Sequence, residues 1–376
     1  MHIAVISNNY PKNFAPNHGA FVYNLVQKLA DFAEITVIST LKVHEAAKYK
    51  TGGYGDERCL VVRPLTLSLS NKRIGFLDTG RLTNLFARYS VERALRRMNE
   101  APDVLYCHFF SNAITVLNYA EKNNLPLVVA SGESTYSFFD RLTSSEKERL
   151  RKKVDKVICV SQSNIDRLVQ RGFAKDKLVL VPNAVDHEVF KPMDKTACKE
   201  KLGFSNQEFV VGFIGHFIER KGPNRLIQAI QTIKDPQIKL VCVGDGDALI
   251  ENDFTTILSP MPSNQLPETF NAFDIFVLPT LHEGHCNVIE EAMECGIPVI
   301  SSKGTSVEEQ LKDGKGVLVD PMNIDAIANA ICNLKEDDAR YGEIVRKLLH
   351  DTRANSLNER AKKIHTIIAA EVVEKM

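Results

Sequence analysis

Glu283 and Glu291 stand with seven residues between them in the run Glu283-Gly284-His285-Cys286-Asn287-Val288-Ile289-Glu290-Glu291-Ala292-Met293-Glu294. The apolar stretch IFVLPT (275–280) precedes it, which predicts a loop at the carboxyl end of a parallel strand, where α/β sheets bind ligands. Val288, Ile289, Ala292 and Met293 repeat at helical spacing, so Glu283 falls in the loop and Glu291 a turn into a helix. At ~1.5 Å per helical residue the two carboxylates lie on the order of 10 Å apart. Such a pair can grip hydroxyls at opposite ends of a nucleoside diphosphate sugar. Gly284 allows close backbone approach, N–H groups around His285–Val288 offer an anion site, and Asn287 with Glu290 predicts a capping pair. The plainer reading makes Glu290, Glu291 and Glu294 a solvated helix face and Glu283 a loop charge.

The pattern E-x7-E after a strand ending in L-P, followed by EAMECGIPVI, resembles glycosyltransferase family 4, retaining enzymes of the GT-B fold. The resemblance covers essentially the whole chain and is most specific over 209–320. It implies that Glu283 contacts the donor sugar and Glu291 the ribose. VVGFIGHFIERKG (210–222) is similar to the family's phosphate loop, with Gly215, Arg220, Lys221 and Gly222 in place. Cations beside a strand end neutralise a diphosphate leaving group as its charge develops. His216 stands where the family often has arginine, and the Arg220-Lys221 pair offers compensation. LVCVGDGD (240–247) is similar to the family's G-x-G turn, placing Gly244 on the donor side. The stretch 156–190 resembles the close of the first domain, with Ser161, Asn183, Val185, Asp186 and Phe190 in structural roles.

In the amino-terminal half, Asn17-His18-Gly19-Ala20-Phe21-Val22 resembles the family's glycine-rich loop, whose N–H groups at a helix start meet the donor phosphate. His108, ending DVLYCHFF, matches a recurring family histidine, or simply caps a strand. At Ala130-Ser131-Gly132-Glu133-Ser134 the chain departs from the family, because Gly132 falls where many members carry histidine. Glu133 and His18 are the candidates for sugar or acceptor contacts there. The resemblance implies Glu283, Lys221, Arg220 and His108 as the catalytic set. Asp245-Gly246-Asp247 spells a D-x-D metal anchor, but its setting resembles the glycine turn, so neither metal nor cofactor is expected. The implied reaction moves a hexose from a nucleotide sugar, UDP preferred over GDP, to a hydroxyl of a glycan or lipid-linked acceptor. Base recognition falls to backbone around 255–263. A nucleotide-sugar 2-epimerase and a catalytically silent binding partner are the rival readings.

The elements that must position these residues alternate between β-branched runs and helical patterns. Strands are predicted at 2–7, 34–40, 59–65, 103–108, 126–131, 156–161 and 178–182, then at 209–215, 238–244, 255–259, 275–280, 298–302 and 316–320. Near-continuous apolar strands between helices mean parallel sheets covered on both faces, a doubly wound α/β architecture formed twice. The predicted GT-B layout has two Rossmann-like domains facing across a cleft, with C-terminal helices crossing back to the first. An acceptor domain takes 1–185 plus a helix at about 352–376, and a donor domain takes 186–351. Residues 42–58 read as a polar loop.

Composition is that of an ordinary globular protein, with 376 residues, 44% hydrophobic and 25% charged. No apolar run approaches the ~18 residues of a membrane helix, and no signal peptide is legible. Eight scattered cysteines suit a reduced, cytoplasmic setting. The zero net charge hides an asymmetry: residues 1–184 hold 26 Lys and Arg against 17 Asp and Glu, while 185–376 hold 21 against 30. Lys72, Arg73, Arg81, Arg88, Arg93, Arg96 and Arg97 cluster among Leu82, Leu85, Phe86, Tyr89 and Leu95, and a second basic run spans 147–156. Such a surface attracts an anionic membrane or polyanion, implying peripheral attachment at the cytoplasmic face, or else it is a core-packed helix with a solvated basic back. No nucleic-acid module is readable.

Overall fold

The computed structural model describes residues 1–15, 18–49, 58–69, 73–74, 77–133, 135–351 and 356–375. Asn17, Lys72, Ser134, residues 50–57 and residues 352–355, all singled out above, lie outside the described residues, as do the side chains of Arg73 and Asp78. The chain divides into two compact units, Met1–Pro182 with Asn358–Met376, and Asn183–Leu357.

The first unit begins β1 (His2–Ile6), α1 (Ala20–Leu29), β2 (Glu34–Ile38), β3 (Leu41–Lys42), β4 (Leu60–Val62), β5 (Leu65–Thr66), β6 (Arg73–Ile74), β7 (Leu77–Asp78) and α2 (Thr79–Leu95). It continues with β8 (Val104–His108), α3 (Phe110–Lys122), β9 (Leu127–Ser131), α4 (Ser137–Asp140), α5 (Ser144–Lys153), β10 (Lys156–Cys159), α6 (Gln162–Gln170) and β11 (Leu178–Leu180). Seven strands pair in the order β11-β10-β9-β8-β1-β2-β4, all parallel. Two predictions change here. The run 59–65 splits into β4 and β5 at Pro64, because proline has no N–H for the ladder. Residues 43–48 form a 3-10 turn rather than loop, held by Glu45, which accepts from the Lys42 N–H at 3.2 Å and pairs with Lys12 at 2.6 Å.

The second unit holds α7 (Lys195–Lys201), β12 (Phe209–Ile214), α8 (Pro223–Ile233), β13 (Ile238–Val243), β14 (Thr255–Leu258), α9 (Leu266–Asn271), β15 (Ile275–Leu278) and α10 (Asn287–Glu294). β16 (Val299–Ser302), α11 (Val307–Leu311), β17 (Gly316–Val319), α12 (Ile324–Glu336) and α13 (Asp338–Asp351) follow. Its six strands run parallel in the order β14-β13-β12-β15-β16-β17. The last helix, α14 (Leu357–Lys375), rejoins the first unit, where Ala361, Ile364 and Ile368 are buried and Arg360 donates to the Pro182 carbonyl at 2.7 Å.

Each sheet reverses its winding at one place, between β1 and β8 in the first unit and between β12 and β15 in the second. Connections leave those neighbours toward opposite faces, so a crevice opens at their carboxyl ends. His108 ends β8, and the loops carrying Arg220, Lys221 and Glu283 follow β12 and β15.

The second core is packed by Phe213, Phe270, Phe273 and Phe276. A Cβ on Gly212 in β12 would lie 2.0 Å from a ring carbon of Phe273. Gly212→Ala should therefore cost about 1–3 kcal/mol through overpacking. Gly342, inside α13, has no atom within 4 Å of an added Cβ, and Gly342→Ala should stabilise by about 0.5–1 kcal/mol. Denaturant midpoints for the two variants should move in opposite directions.

Candidate active site

The loop after β12 and the loop after β15 are clasped by their own backbones. Leu281 N–H donates to the Arg220 carbonyl at 2.8 Å, and Thr280 Oγ1 lies 3.2 Å from the same oxygen. Buried Arg225, from α8, donates to the Pro279 carbonyl at 2.8 Å and pairs with Glu219. Gly222 caps α8 at φ +77 with Pro223 behind it, a conformation suited to glycine.

This clasp delivers three charged groups to one point. Glu283 Oε1 lies 2.6 Å from Lys221 Nζ and 2.8 Å from Arg220 Nη1, and it accepts from Thr280 Oγ1 at 3.1 Å. Burial works to raise the Glu283 carboxyl, but the two cations outweigh it and hold it below its ordinary value. Burial likewise works to lower the Lys221 ammonium, and Cys286 and Glu283 reverse that. Two cations meet one carboxylate, so the cluster carries one positive charge in surplus. Ser306 Oγ fixes the Glu283 carbonyl at 2.6 Å.

The glycines around it are set by positive φ and, at Gly244, by close approach. Gly244 has φ +153, and a Cβ there would lie 2.0 Å from the Gly215 carbonyl oxygen; Gly215 has φ +152 and lies against the Lys221 stem. The sequence Gly244-Asp245-Gly246 pairs with the preceding loop, Phe217 N–H donating to the Asp245 carbonyl at 2.7 Å. His216 Nδ1 meets Asp245 Oδ1 at 2.9 Å in an exposed position.

At the start of α10 the predicted capping pair does not form. Cys286 is the N-cap, its N–H donates to Gln310 Oε1 at 2.9 Å, and Gln310 Nε2 donates to Cys286 O at 3.1 Å and Glu290 Oε1 at 2.8 Å. Asn287 Oδ1 instead accepts from Asn183 at 2.8 Å. The Cys286 N–H is thus spent inside the protein, which shrinks the expected anion site. Gly284 is buried, and His285 lies with Nε2 3.4 Å from Glu290 Oε1.

The glutamates of α10 are not a solvated face. Glu294 is buried beside His187 Nδ1 at 2.6 Å, and Glu291 Oε2 is buried with no hydrogen-bond partner among the described residues. Burial raises the carboxyls of Glu290 to about 7 and of Glu291 and Glu294 to about 8.

His18, Gly19, His108 and Glu133 belong to the first unit. Gly19 caps α1 at φ +80, where a Cβ would lie 2.2 Å from the Asn9 carbonyl oxygen. The imidazole of His18 is shifted down by burial and by Lys12. His108 is buried against the Tyr106 ring at 4.9 Å, and burial with the nearby Arg360 charge pushes it down to about 3. Its Nε2 has no partner among the described residues. Phe109, directly after it, holds a positive φ of 74, a strained conformation for a bulky residue.

Glu133, a candidate for sugar or acceptor contacts, is already hydrogen-bonded within its own unit. It accepts from Phe110 N–H at the start of α3 at 3.1 Å and from Ser131 Oγ at 2.7 Å, while burial raises its carboxyl. An added Cβ at Gly132 would meet only ordinary contacts, 3.6 Å from Val160, so space does not exclude a side chain there. Sequence reasoning missed Thr280, Ser306, Gln310, Arg225 and Arg360. Thr280 had a signal, a hydroxyl at a strand end; the others lie on elements with no motif of their own. Among the described residues no three His, Cys, Asp or Glu side chains gather as a metal site requires.

Known proteins resemble this chain along its length. The family model described as Glycosyltransferase Family 4 matches residues 19–189, and that described as Glycosyl transferases group 1 matches residues 194–363. A D-inositol 3-phosphate glycosyltransferase of Stackebrandtia nassauensis is 26% identical over 277 residues, 64% of this chain and 62% of that one. The putative teichuronic acid biosynthesis glycosyltransferase TuaC of Bacillus subtilis is 23% identical over 97% of each chain. A UDP-Gal:alpha-D-GlcNAc-diphosphoundecaprenol alpha-1,3-galactosyltransferase of Escherichia coli is 29% identical over 59% of each. The match thus spans less than two thirds of the first and third of these relatives. Among solved structures, Anabaena Alr3699/HepE in complex with UDP and glucose aligns with a TM-score of 0.76 at 18% identity, over 98% of this chain and 100% of that one. Sucrose-phosphate synthase of Thermosynechococcus elongatus aligns with a TM-score of 0.75 at 18% identity, over 98% of each. These likenesses establish the fold.

Glu291 yields a pH test. Its carboxyl moves from 4.5 to about 8 on folding, so between those values the folded chain keeps a proton that the unfolded chain has released. Stability from this group therefore falls as pH rises through that window. Glu291→Gln cannot ionise, and its melting temperature relative to the parent should climb between about pH 5 and pH 8.5. A difference independent of pH would mean that the carboxyl ionises normally.

Proposed function

From the premise that the chain belongs to the GT-B glycosyltransferases of the family 4 type, we propose that it transfers a hexose, with retention, from a nucleotide sugar to a glycan or lipid-linked hydroxyl. The observation that carries this reading is the Arg220–Lys221–Glu283 cluster at the reversal between β12 and β15, with its surplus positive charge. A nucleoside diphosphate supplies the missing anion. UDP is the preferred base carrier; the Anabaena neighbour's complexes with UDP and with UDP-glucose support a nucleotide sugar.

The bond that breaks joins the anomeric carbon to the β-phosphate oxygen, and the acceptor oxygen forms its bond on the same face. The acceptor proton passes to the departing phosphate oxygen, so atoms and charge balance without an added base. Lys221 and Arg220 meet the charge that grows on the diphosphate, and fixed cations of this kind need no reorganisation as the bond breaks. All three contacts of Glu283 converge on Oε1, so Oε2 is the oxygen assigned to a sugar hydroxyl. Glu291 Oε2, buried without a partner among the described residues, is assigned to the ribose. His108, held neutral, orients substrate by hydrogen bonding. Charge neutralisation by side chains takes the role of a metal, and no cofactor is invoked.

Calorimetry with UDP, GDP and ADP, paired with turnover of the sugar nucleotides, tests the reading. Lys221→Ala should lower kcat by about 10²–10³. Glu291→Ala should weaken nucleotide binding about two- to tenfold, since a hydrogen bond from a neutral carboxyl is worth about 0.5–1.5 kcal/mol. Activity should survive EDTA. Parental binding and turnover in both variants would reject the site. A 2-epimerised nucleotide sugar formed without acceptor would favour the epimerase reading.

A further inference from the structure

Helix α2 is inside out for a core helix. It buries the small stripe Ala87, Val91 and Leu95, and leaves Leu85 56% and Tyr89 66% exposed. Arg81, Leu85, Tyr89 and Arg93 follow one another at four-residue spacing, which puts them in one row along the helix, apolar in the middle and cationic at both ends. Phe86 is exposed beside that row. On its far side the extended segment 65–69 lies along α2: Ser90 Oγ donates to the Leu65 carbonyl at 2.7 Å, and Leu69 N–H donates to Thr83 Oγ1 at 3.0 Å. That segment exposes Leu65, Leu67 and Leu69 as well. Six apolar side chains therefore form one exposed band edged by arginines.

The charge along that edge is unevenly compensated. Glu92 takes up Arg88 at 3.2 Å and Arg96 at 3.0 Å. Arg93 and Arg97 are exposed and have no acidic partner among the described residues. The second basic run is different, because four of its six cations are paired: Arg149 with Glu121, Arg151 and Lys152 with Glu148, and Lys156 with Glu371. Uncompensated positive charge and exposed apolar surface thus coincide on α2.

We infer that the α2 face, with the 65–69 segment beside it, docks on an anionic lipid bilayer, its leucines and aromatic rings entering the interface between arginines that meet lipid phosphates. Apolar side chains inside a cationic rim have the chemistry of an interfacial helix. A polyanionic glycan would satisfy the arginines but would leave Leu65, Leu67 and Leu85 in water. Charge draws the protein to the surface, and apolar burial holds it there once salt has shortened the field. This goes beyond the donor-site reading and is independent of it, since the assay contains no sugar nucleotide.

Flotation of the full chain with phosphatidylglycerol or phosphatidylcholine vesicles tests the inference. The parent should float with the anionic vesicles at low salt and keep part of that binding at high salt, while binding phosphatidylcholine at least tenfold more weakly. Arg93→Glu with Arg97→Glu should reduce binding to anionic vesicles about tenfold or more. Leu85→Ser with Tyr89→Ser should abolish the salt-resistant fraction while leaving the melting temperature and nucleotide binding at parental values. Arg151→Glu, in the compensated run, should bind as the parent does. Equal flotation of parent and both α2 variants would overturn the inference. So would a parent that ignores vesicles but forms a dimer that Leu85→Ser with Tyr89→Ser dissociates, because the face would then belong to a second copy.

Discussion

A carboxylate buried between two cations persists only where something outside the trio holds all three in place, because removing charges from water costs several kcal/mol per ion. Glu283, Lys221 and Arg220 meet that requirement through backbone. The Arg220 carbonyl accepts from Leu281 N–H, and Thr280 Oγ1 stands between that carbonyl and Glu283, so the loop bearing the cations and the loop bearing the carboxylate are tied together. Arg225 ties α8 to the same place, and the Gly215–Gly244 contact brings the third loop alongside. Strand order, glycine placement and helix starts in the second unit all converge on keeping this cluster assembled before any ligand arrives. That is preorganisation in the electrostatic sense, with the orienting cost met during folding.

The first unit handles its polar groups in the opposite way. Burial and the nearby Arg360 charge both push the His108 imidazole toward its neutral form. Glu133 is committed to the start of α3 and to Ser131. A neutral imidazole gives or takes a hydrogen bond but contributes no field, which suits orientation rather than charge neutralisation. The positive φ of Phe109, at the strand end where the sheet reverses, fixes the chain direction just beyond that imidazole.

The sheet strands were legible because β-branched runs bounded by glycine and proline have few alternatives in a covered parallel sheet. The run around Glu283 and Glu291 was legible for a similar reason, a strand end meeting a helix start. What local sequence could not show was competition from distant residues. Gln310, on α11, takes the groups that Asn287 and Glu290 were expected to share. Glu121 and Glu371, far along the chain, cancel cations of the 147–156 run. The α2 segment shows a second limit. Helical periodicity reveals that apolar residues form a stripe, but not whether that stripe or the small-residue stripe of Ala87 and Val91 turns inward.

Charge is used at two ranges in the same molecule. Residues 185–376 are acidic, 30 carboxylates against 21 Lys and Arg, yet their best-formed cluster is cationic. At physiological salt the acidic background beyond about 8 Å is largely screened. Inside a buried loop pair the dielectric is low, and a single surplus charge dominates what a phosphate encounters. Residues 1–184, basic by 26 to 17, hold cations of α5 in ion pairs and keep Arg93 exposed on α2 without an acidic partner among the described residues. Charge that is exposed acts through solvent and yields to salt; charge that is buried acts at contact and does not. The buried cluster and the α2 face consequently respond to ionic strength in different ways, although both are built from arginine and lysine.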